Sequence, residues 1–325
     1  ELSKQAESRF TVAQQDLIVR TTDAYFAVLR ATANLQASKA QQQALEAQLD
    51  QVKQRFDVGL VAITDVHEAQ AAYDLAVADR LADEGDVRVA LEQLSVLTGR
   101  SHAQLWQLRD DFPVVDPGPS EVGRWVAFAR KHNEDIELAR YARNVAQKTA
   151  RAAQSQHLPK VNLSMSYSDN DTDVNQNNLD SPDPGQAVEF ARDQRQNQIA
   201  LNVTMPLFAG GAVSASRRQA WSQYESQAET YAATVRQVTQ QTRAFYISVV
   251  RDVARTNARA KAITSTRSAL EAAETGYEVG TRNVVDVLDA QRTLFSAIRD
   301  HANSIIDYVQ DVIALKRRAG TLTPA

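Results

Sequence analysis

The chain of 325 residues lacks cysteine entirely, and it has only 11 glycines and 8 prolines. The absence of cysteine excludes disulfides, thiol nucleophiles and cysteine-ligated metal sites. The five histidines are scattered along the chain and form no metal-binding pattern. No nucleophile–base motif or phosphate-binding loop occurs either. We therefore expect no cofactor and no enzymatic activity.

Two further absences restrict the possible partners. The formal net charge is −4, so the chain does not have the basic character typical of nucleic-acid-binding proteins, and we expect no nucleic acid partner. No run of 18 apolar residues occurs, which excludes a transmembrane helix. Any contact with a membrane would therefore have to come from β-strands.

The helix-breaking residues are unevenly distributed. No proline occurs from Glu1 to Phe112 or from Leu207 to Thr323. Both stretches are rich in alanine, glutamine, glutamate, arginine and leucine, which favour helices. The sequence predicts helices at 1–57, 64–98, 121–156, 212–278 and 284–319. Helices of this length are typical of coiled coils or helical repeats.

Two of these helices contain apolar residues at alternating steps of three and four, which is the pattern of a coiled-coil seam. In the last helix the seam positions are Val284, Val287, Gln291, Leu294, Ile298, His301, Ile305, Tyr308, Val312 and Leu315. In the second helix they are Ile63, Val66, Gln70, Tyr73, Val77, Arg80, Glu84, Val87, Leu91, Leu94 and Thr98.

The chain contains an internal repeat. Residues 56–70 align with 277–291 at an offset of 221, with identical residues at six positions. Gly99 and Gly320 share this offset, whereas residues 22–26 match best at an offset of 220. Each half is predicted to contain a long helix, a glycine-bearing turn and a second helix. About 90 residues in front of the second half have no counterpart in the first, so we expect a fragment lacking roughly the first hundred residues of its repeat.

Two segments alternate between apolar and polar residues. Residues 161–168 place Val161, Leu163, Met165 and Tyr167 on one face, and residues 199–207 do the same. This pattern is typical of outer-membrane β-barrels, although alternation alone fits a half-buried hairpin of a soluble protein equally well. The polar stretch at 169–198 is interpreted as a surface loop. Pro159 and Pro206 lie where strands would meet helices, which favours the barrel interpretation.

Several motifs resemble the TolC outer-membrane efflux protein family. The resemblance lies in residues 48–66, 276–282, 285–289 and 206–211. It implies a mainly α fold with β: long coiled-coil helices forming a helical barrel, an outer-membrane β-barrel hairpin and a small mixed equatorial region. It also implies a homotrimer with four strands per protomer, of which this chain contains two.

The same resemblance implies a division of the chain into segments. These are a first-repeat helical hairpin of the periplasmic tunnel at 1–100, an equatorial segment at 101–120, a tunnel helix at 121–157, a β-barrel hairpin with an extracellular loop at 158–209, a second-repeat helical hairpin at 210–320 and the start of a C-terminal equatorial segment at 321–325. The glycine pair Gly210–Gly211 is interpreted as a strand-to-helix turn.

Asp286 and Asp289 are three residues apart, so their carboxylates share one helix face. A solvated polar face is the usual interpretation of such a pair. In a trimer, three copies around a narrow pore would instead form two carboxylate rings that attract cations. The family resemblance implies this second role, at the periplasmic constriction.

The resemblance also implies a gate network of hydrogen bonds and salt bridges. In it Arg282 bonds Thr64 and Asp65, Tyr277 bonds Asp65, and Tyr277 bonds Gln48 of a neighbouring protomer. From the residues alone, Thr64 is a plausible N-cap, and Asp65 is favourable in a first helical turn. Both roles are compatible.

Gly59 and Gly280 follow long helices, where a left-handed residue is expected. The resemblance implies that these tips, Val58–Gly59–Leu60 and Val279–Gly280–Thr281, bind a periplasmic adaptor, the membrane fusion protein. The chain is then expected to be an outer-membrane exit duct of tripartite efflux pumps and type I secretion systems. It would contact outer-membrane lipid, and a proton-driven or ABC-type inner-membrane pump would power it. The alternative is a soluble coiled-coil scaffold.

Overall fold

The computed structural model describes residues 1–103, 105–109, 112–176 and 188–322. Its elements, in chain order, are α1 (Leu2–Asp57), α2 (Ile63–Thr98), α3 (Val122–His132), α4 (Glu134–Gln154), a 3₁₀ turn (Ser155–His157), β1 (Lys160–Gln176), β2 (Val188–Thr204), α5 (Ala212–Glu278) and α6 (Val284–Ala319). The chain divides into a helical unit, residues 1–142 and 230–325, and a second unit, residues 143–229. None of the helices in the described residues is both long and apolar enough to cross a membrane.

Four of the five predicted helices are confirmed to within one residue at each end, namely α1, α2, α5 and α6. The prediction of one helix over 121–156 is wrong, because it is interrupted at Asn133. The Asn133 side chain accepts hydrogen bonds from the backbone N–H groups of Asp135 (3.0 Å) and Ile136 (3.2 Å), which caps α4. The Asn133 amide donates to the carbonyl of Arg318 (2.9 Å), so a tertiary contact stabilises the interruption between α3 and α4.

The largest apolar cluster of the helical unit joins α1, α2, α5 and α6 near the two glycine-bearing turns. Its buried members are Leu45, Leu49, Val52, Ala69, Ala76, Ala273, Tyr277, Val284, Val287 and Leu288. The predicted α6 seam is confirmed, since none of its ten positions is exposed. The α2 seam is only half-buried along most of its length and Ile63 is exposed, whereas Ala69, Ala76 and Ala90 are buried.

The two continuous helices favour an offset of 221 along their whole length, including residues 22–26, whose sequence matches best at 220. Tyr25 and Tyr246 are equivalent at 221, and each hydroxyl donates to a backbone carbonyl of the 101–120 segment, Trp106 and Ser120 respectively. Val28 and Val249, also equivalent, are both buried. A continuous helix leaves no room for a one-residue shift without a bulge.

The second unit contains an antiparallel hairpin of β1 and β2, in which Val161 pairs with Val203 and Met165 pairs with Ile199. Both predicted strands exist, but they are longer than predicted, because pairing continues to Gln176 opposite Val188. Much of the predicted loop at 169–198 is therefore strand, while residues 177–187 lie outside the described part of the chain.

The second strand ends at Thr204 rather than at the predicted Leu207. Pro206 has no N–H to donate to the ladder, which explains the earlier end. Gly210 and Gly211 both have positive φ, 56° and 84°, and form a turn directly before α5, as predicted.

Candidate functional site

The two glycine-bearing turns of the helical unit have the same backbone geometry. Gly59 and Gly280 adopt φ values of 75° and 80°, which confirms the predicted left-handed conformation. Leu60 N–H donates to the Arg55 carbonyl and Thr281 N–H donates to the Gly276 carbonyl, both at 2.8 Å. These bonds connect equivalent residues at the offset of 221, so each long helix ends in the same hydrogen-bonded turn.

The predicted tips are exposed. Val58, Leu60 and Val279 are 71%, 69% and 69% exposed, respectively. Thr281 is also exposed, and its hydroxyl donates to the Gly276 carbonyl at 3.1 Å. The tips therefore present apolar side chains on a backbone that is fixed by hydrogen bonds.

The side chains around the two turns differ. Position 55 is arginine in the first turn, and its equivalent in the second is Gly276. Position 282 is arginine in the second turn, and its equivalent in the first is Val61, which packs against the apolar cluster. Each turn therefore carries one arginine, but at a different position.

Tyr277 lies at the end of α5 and is only 6% exposed. The guanidinium of Arg55 lies over its ring, 4.6 Å from the ring centroid. Burial raises the pKa of the Tyr277 phenol above its usual value of 10.0; the positive charge of Arg55 opposes this increase, and the negative charge of Asp65 adds to it. Tyr277 is therefore close to Asp65, its predicted partner, and remains protonated at neutral pH.

Gln48 is also buried in the single chain. Its amide nitrogen and the Tyr277 hydroxyl are both buried without a hydrogen-bond partner among the described residues. A buried polar group left unpaired costs about 1–3 kcal/mol. The predicted bond between Tyr277 and Gln48 of a neighbouring protomer would satisfy one such group on each side, and it stays a prediction.

Arg282 is folded back over its own turn. A Cβ at Gly276 would lie 2.9 Å from the Arg282 Cγ, so only glycine leaves room for this side chain as placed. Within the described residues, Arg282 makes no side-chain hydrogen bond with Thr64 or Asp65. Those two bonds of the gate network therefore also stay predictions.

The prediction that Thr64 caps α2 is wrong. The helix begins at Ile63, and the N-cap residue is Ala62, in an extended conformation and without a side-chain bond. Asp65 does lie in the first turn, as expected, and Thr64 Oγ1 is 3.5 Å from its Oδ1. The equivalent of Ala62 in the second turn is Asn283, which sequence reasoning missed.

Asn283 and Asp286 form a capping box at the start of α6. The Asn283 side chain accepts from the Asp286 N–H at 2.8 Å, and the Asp286 carboxylate accepts from the Asn283 N–H at 3.3 Å. The spacing of an N-cap residue and an acid three residues later is the sequence signal that could have identified it. Asp286 therefore has a structural role at the start of α6.

Asp286 and Asp289 both lie on the exposed face of α6, while Val284 and Val287 are fully buried. Asp289 forms an ion pair with Arg292 at 3.0 Å, with both side chains more than half exposed. Such a pair is worth about 0.2–1 kcal/mol. The aspartates therefore point away from the seam, and the predicted carboxylate rings stay a prediction.

A further charged cluster, not anticipated from sequence, joins α1, α5 and α6. The Asp307 carboxylate forms ion pairs with the guanidinium groups of Arg30 and Arg255, both at 2.6 Å. Asp252 is completely buried and contacts Arg251 and Arg255 through one oxygen. Burial raises the pKa of the nearby Asp311 to about 6, and the hydrogen bond and negative charge of Asp252 add to this increase.

Residues 2–100 and 125–321 match the family described as outer membrane efflux protein. The chain belongs to the outer membrane efflux protein family. It is 34% identical over 321 residues to "Outer membrane protein TolC" of Vibrio cholerae, covering 99% of this chain and 71% of that protein. It is 25% identical to "Alkaline protease secretion protein AprF" of Pseudomonas aeruginosa, covering 98% of this chain and 64% of that protein. The chain thus spans about two thirds of these relatives.

The fold is that of solved channels of this family. The crystal structure of the outer membrane protein VceC from Vibrio cholerae superposes with a TM-score of 0.78 at 21% identity, covering 98% of this chain and 72% of that one. The mainly α fold with a two-stranded hairpin, predicted from the sequence, is confirmed.

Proposed function

We propose that the chain is part of an outer-membrane exit channel through which drugs or secreted proteins leave a Gram-negative cell. Family membership supports this role, as do the names of the TolC and AprF relatives, which refer to the outer membrane and to protease secretion. The relatives are channel and secretion proteins rather than enzymes. An inner-membrane pump, proton-driven or of the ABC type, would drive transport through a periplasmic adaptor.

The observation that carries the proposal is the exposed apolar face of the hairpin. Three apolar cross-strand pairs lie on one face, each side chain 58–78% exposed. They are Val161–Val203, Leu163–Leu201 and Met165–Ile199. The other face carries Asn162, Ser164, Asn202 and Ala200. A soluble scaffold, the alternative function, gives no reason for this exposure, whereas contact with lipid does.

The extent of the apolar face also fits a membrane strand. The alternation runs from Lys160 to Ser168, nine residues, and a tilted strand of about 9–11 residues spans a bilayer. Immediately beyond it, the register pair Asp169 and Arg195 forms an exposed ion pair at 3.4 Å. We take this pair to mark the polar end of the lipid-facing band.

The internal repeat favours a ring of identical subunits, the proposed homotrimer. Phe26 and Leu29 of α1 are buried together with Ile306 of α6. Their equivalents in α5, Ile247 and Val250, are exposed. The same holds for α2 and its equivalent, α6. Gln310 and Arg317 of α6 contact α1, whereas their equivalents in α2, Val89 and Val96, are exposed.

We therefore infer that α5 of one protomer packs against α2 of the next, in the way that α1 packs against α6 within the chain. A contact of this head-to-tail type closes into a ring.

The absence of native cysteine allows a direct test of this contact. Ala244 and Val89 are the equivalents of Asp23 and Gln310, whose side chains bond at 3.3 Å. The variant with Ala244→Cys and Val89→Cys should form disulfide-linked trimers in membranes. A control pair, Ala244→Cys with Leu75→Cys, displaces one partner by about 21 Å along α2 and should not cross-link. Monomers from both variants, or equal cross-linking, would contradict the proposed ring.

At the turns, we propose that Asp286 and Asp289 form the pore constriction, and that Val58–Leu60 and Val279–Thr281 bind the adaptor. Gln48, Thr64, Asp65, Tyr277 and Arg282 would form the gate network. The exposure of the tips and of both aspartates supports these assignments. The Gln48 amide nitrogen and the Tyr277 hydroxyl, both unpaired in the single chain, are available for the proposed bond between neighbouring protomers.

The channel itself is tested by reconstituting the intact protein in planar bilayers. We expect discrete conductance steps, and truncation of the apolar face by Leu163→Asn with Leu201→Asn should prevent insertion. The matched control, Ser164→Asn, lies on the opposite face and should insert normally. Absence of channels from the folded wild-type protein would leave the scaffold as the better function.

A further inference from the structure

The first turn places one charged side chain across the boundary between the two helical hairpins of the helical unit, α1–α2 and α5–α6. The guanidinium of Arg55, in the last turn of α1, lies 4.6 Å from the centroid of the Tyr277 ring in α5. Its Nη2 is 3.5 Å from the Glu278 carbonyl oxygen at the end of α5. A single side chain of the first hairpin thus contacts both the ring and the backbone of the second.

The environment of the contact strengthens it. Tyr277 is buried, and Arg55 is half-buried, with its Nη1 inaccessible to solvent. The attraction between a cation and an aromatic ring is stronger when both groups are removed from water than at an exposed site. Since Nη1 has no hydrogen-bond partner among the described residues, the ring is a main partner of this charge.

The internal repeat shows that the contact is specific to the first turn. The equivalent of Arg55 in the second turn is Gly276, which has no side chain to reach across. The arginine of the second turn, Arg282, is folded over Gly276 within its own hairpin. Of the two arginines at the turns, Arg55 is therefore the one that contacts the other hairpin in this conformation.

We propose that Arg55 holds the two helical hairpins together at their tips through Tyr277, and so keeps the channel closed. This inference rests on the proposed function as a gated channel. Opening would separate α1 from the end of α5 and expose both the guanidinium and the phenol ring to water. The residue would act by positioning Tyr277 rather than by contacting the transported molecule.

Two measurements separate the failure of this inference from the failure of the channel. The first is the single-channel conductance of the intact protein in planar bilayers. Arg55→Ala should raise the conductance at least about threefold, and Arg55→Lys, which retains the charge but loses the flat stacking group, should give an intermediate increase. Lys53→Ala, an exposed residue of the same helix, is the matched control and should behave as wild type.

The role of the ring is tested by combining variants. Tyr277→Phe keeps the ring, so Arg55→Ala should still raise conductance in that background. Tyr277→Leu removes the ring, so adding Arg55→Ala should then have little further effect, as expected for two coupled residues. Equal effects of Arg55→Ala in both backgrounds would overturn the assignment of Tyr277 as its partner.

The second measurement does not need channel activity. Spin labels at Lys53→Cys and Thr275→Cys, both exposed, report the distance between the tips of α1 and α5 by electron paramagnetic resonance. Arg55→Ala should shift or broaden this distance distribution, while the thermal unfolding midpoint stays within about two degrees of the parent. An unchanged distribution in the folded variant would overturn the inference, even if the wild-type protein formed no channels.

Discussion

The two helical hairpins of the helical unit turn with the same backbone hydrogen bonds but differ in the side chains around the turn. Both turns close with the same hydrogen bonds around a left-handed glycine, Gly59 or Gly280. The differences include Arg55 against Gly276, Val61 against Arg282 and Ala62 against Asn283. The comparison teaches that the turn itself needs only a glycine and the preceding helix, which leaves the neighbouring positions free to acquire separate roles.

The largest difference that we expect between the halves concerns the glycines at the ends of α2 and α6. Gly99 and Gly320 both have positive φ, 66° and 77°. A Cβ at Gly99 meets nothing within 4 Å, whereas a Cβ at Gly320 would lie 2.2 Å from the His132 carbonyl oxygen. Gly99→Ala should cost about 1–2 kcal/mol from the left-handed backbone alone. Gly320→Ala should cost about 3 kcal/mol or more, because the clash adds to it.

Chemical denaturation of both glycine variants measures this difference in the free energy of unfolding. Equal losses would show that the contact between the end of α6 and the break at His132 and Asn133 adds nothing to stability.

The next difference is the buried carboxyl pair. Asp252 and Asp311 of the second half are replaced in the first by Ala31 and Ala90, which belong to an apolar cluster. The charged groups around Asp311 are Asp252 and Arg251, and together with burial they raise its pKa to about 6. A carboxyl with a raised pKa binds its proton more tightly in the folded state. Its contribution to stability is therefore full below about pH 4 and is lost as the pH rises through 6.

Between pH 4 and pH 7, the free energy of unfolding of the wild-type protein should accordingly fall by about 2 kcal/mol relative to that of Asp311→Asn. Unfolding curves of the two proteins across this range provide the test. The variant Ala90→Asn in the first half is the matched control, since no carboxyl is present there to titrate. A pH-independent difference between wild type and Asp311→Asn would contradict the raised pKa of Asp311.

The smallest difference is the cap of the second helix in each half. Asn283→Ala removes the capping box of α6 and should cost about 1 kcal/mol. Ala62→Asn supplies a side chain that α2 lacks and should add a few tenths to about 1 kcal/mol. Thermal unfolding of the two variants measures both changes in stability. A loss of stability in Ala62→Asn as well would show that an asparagine at this position does not cap α2.

The sequence predicted the long helices well because their signal is local. Proline and glycine are absent from long stretches, and the seam of α6 repeats over ten positions. The break at Asn133 was not predictable in this way, since it depends on the Arg318 carbonyl and on Gly320, nearly two hundred residues away. The strands were predicted too short because both faces become polar beyond Ser168, so the alternation that identified them disappears.

The candidate site was only partly predictable for the same reason. The turns, the exposed tips and the outward direction of Asp286 and Asp289 follow from local spacing. The contact of Arg55 with Tyr277 joins residues 222 positions apart, and no local pattern reports how two hairpins pack. Asn283 had a local signal, the capping box, which was overlooked.

The central claim is that the second turn, not the first, carries the carboxylates of the pore. The two turns offer a matched test, because Asp65 and Glu68 are the equivalents of Asp286 and Asp289 at the offset of 221. The measurement is the reversal potential of the intact protein in planar bilayers under a salt gradient. Asp286→Asn with Asp289→Asn should abolish cation selectivity, since the charged rings would be lost. Asp65→Asn with Glu68→Gln should keep selectivity, whatever its effect on gating. Equal losses in the two double variants, or selectivity retained in the first, would contradict the account.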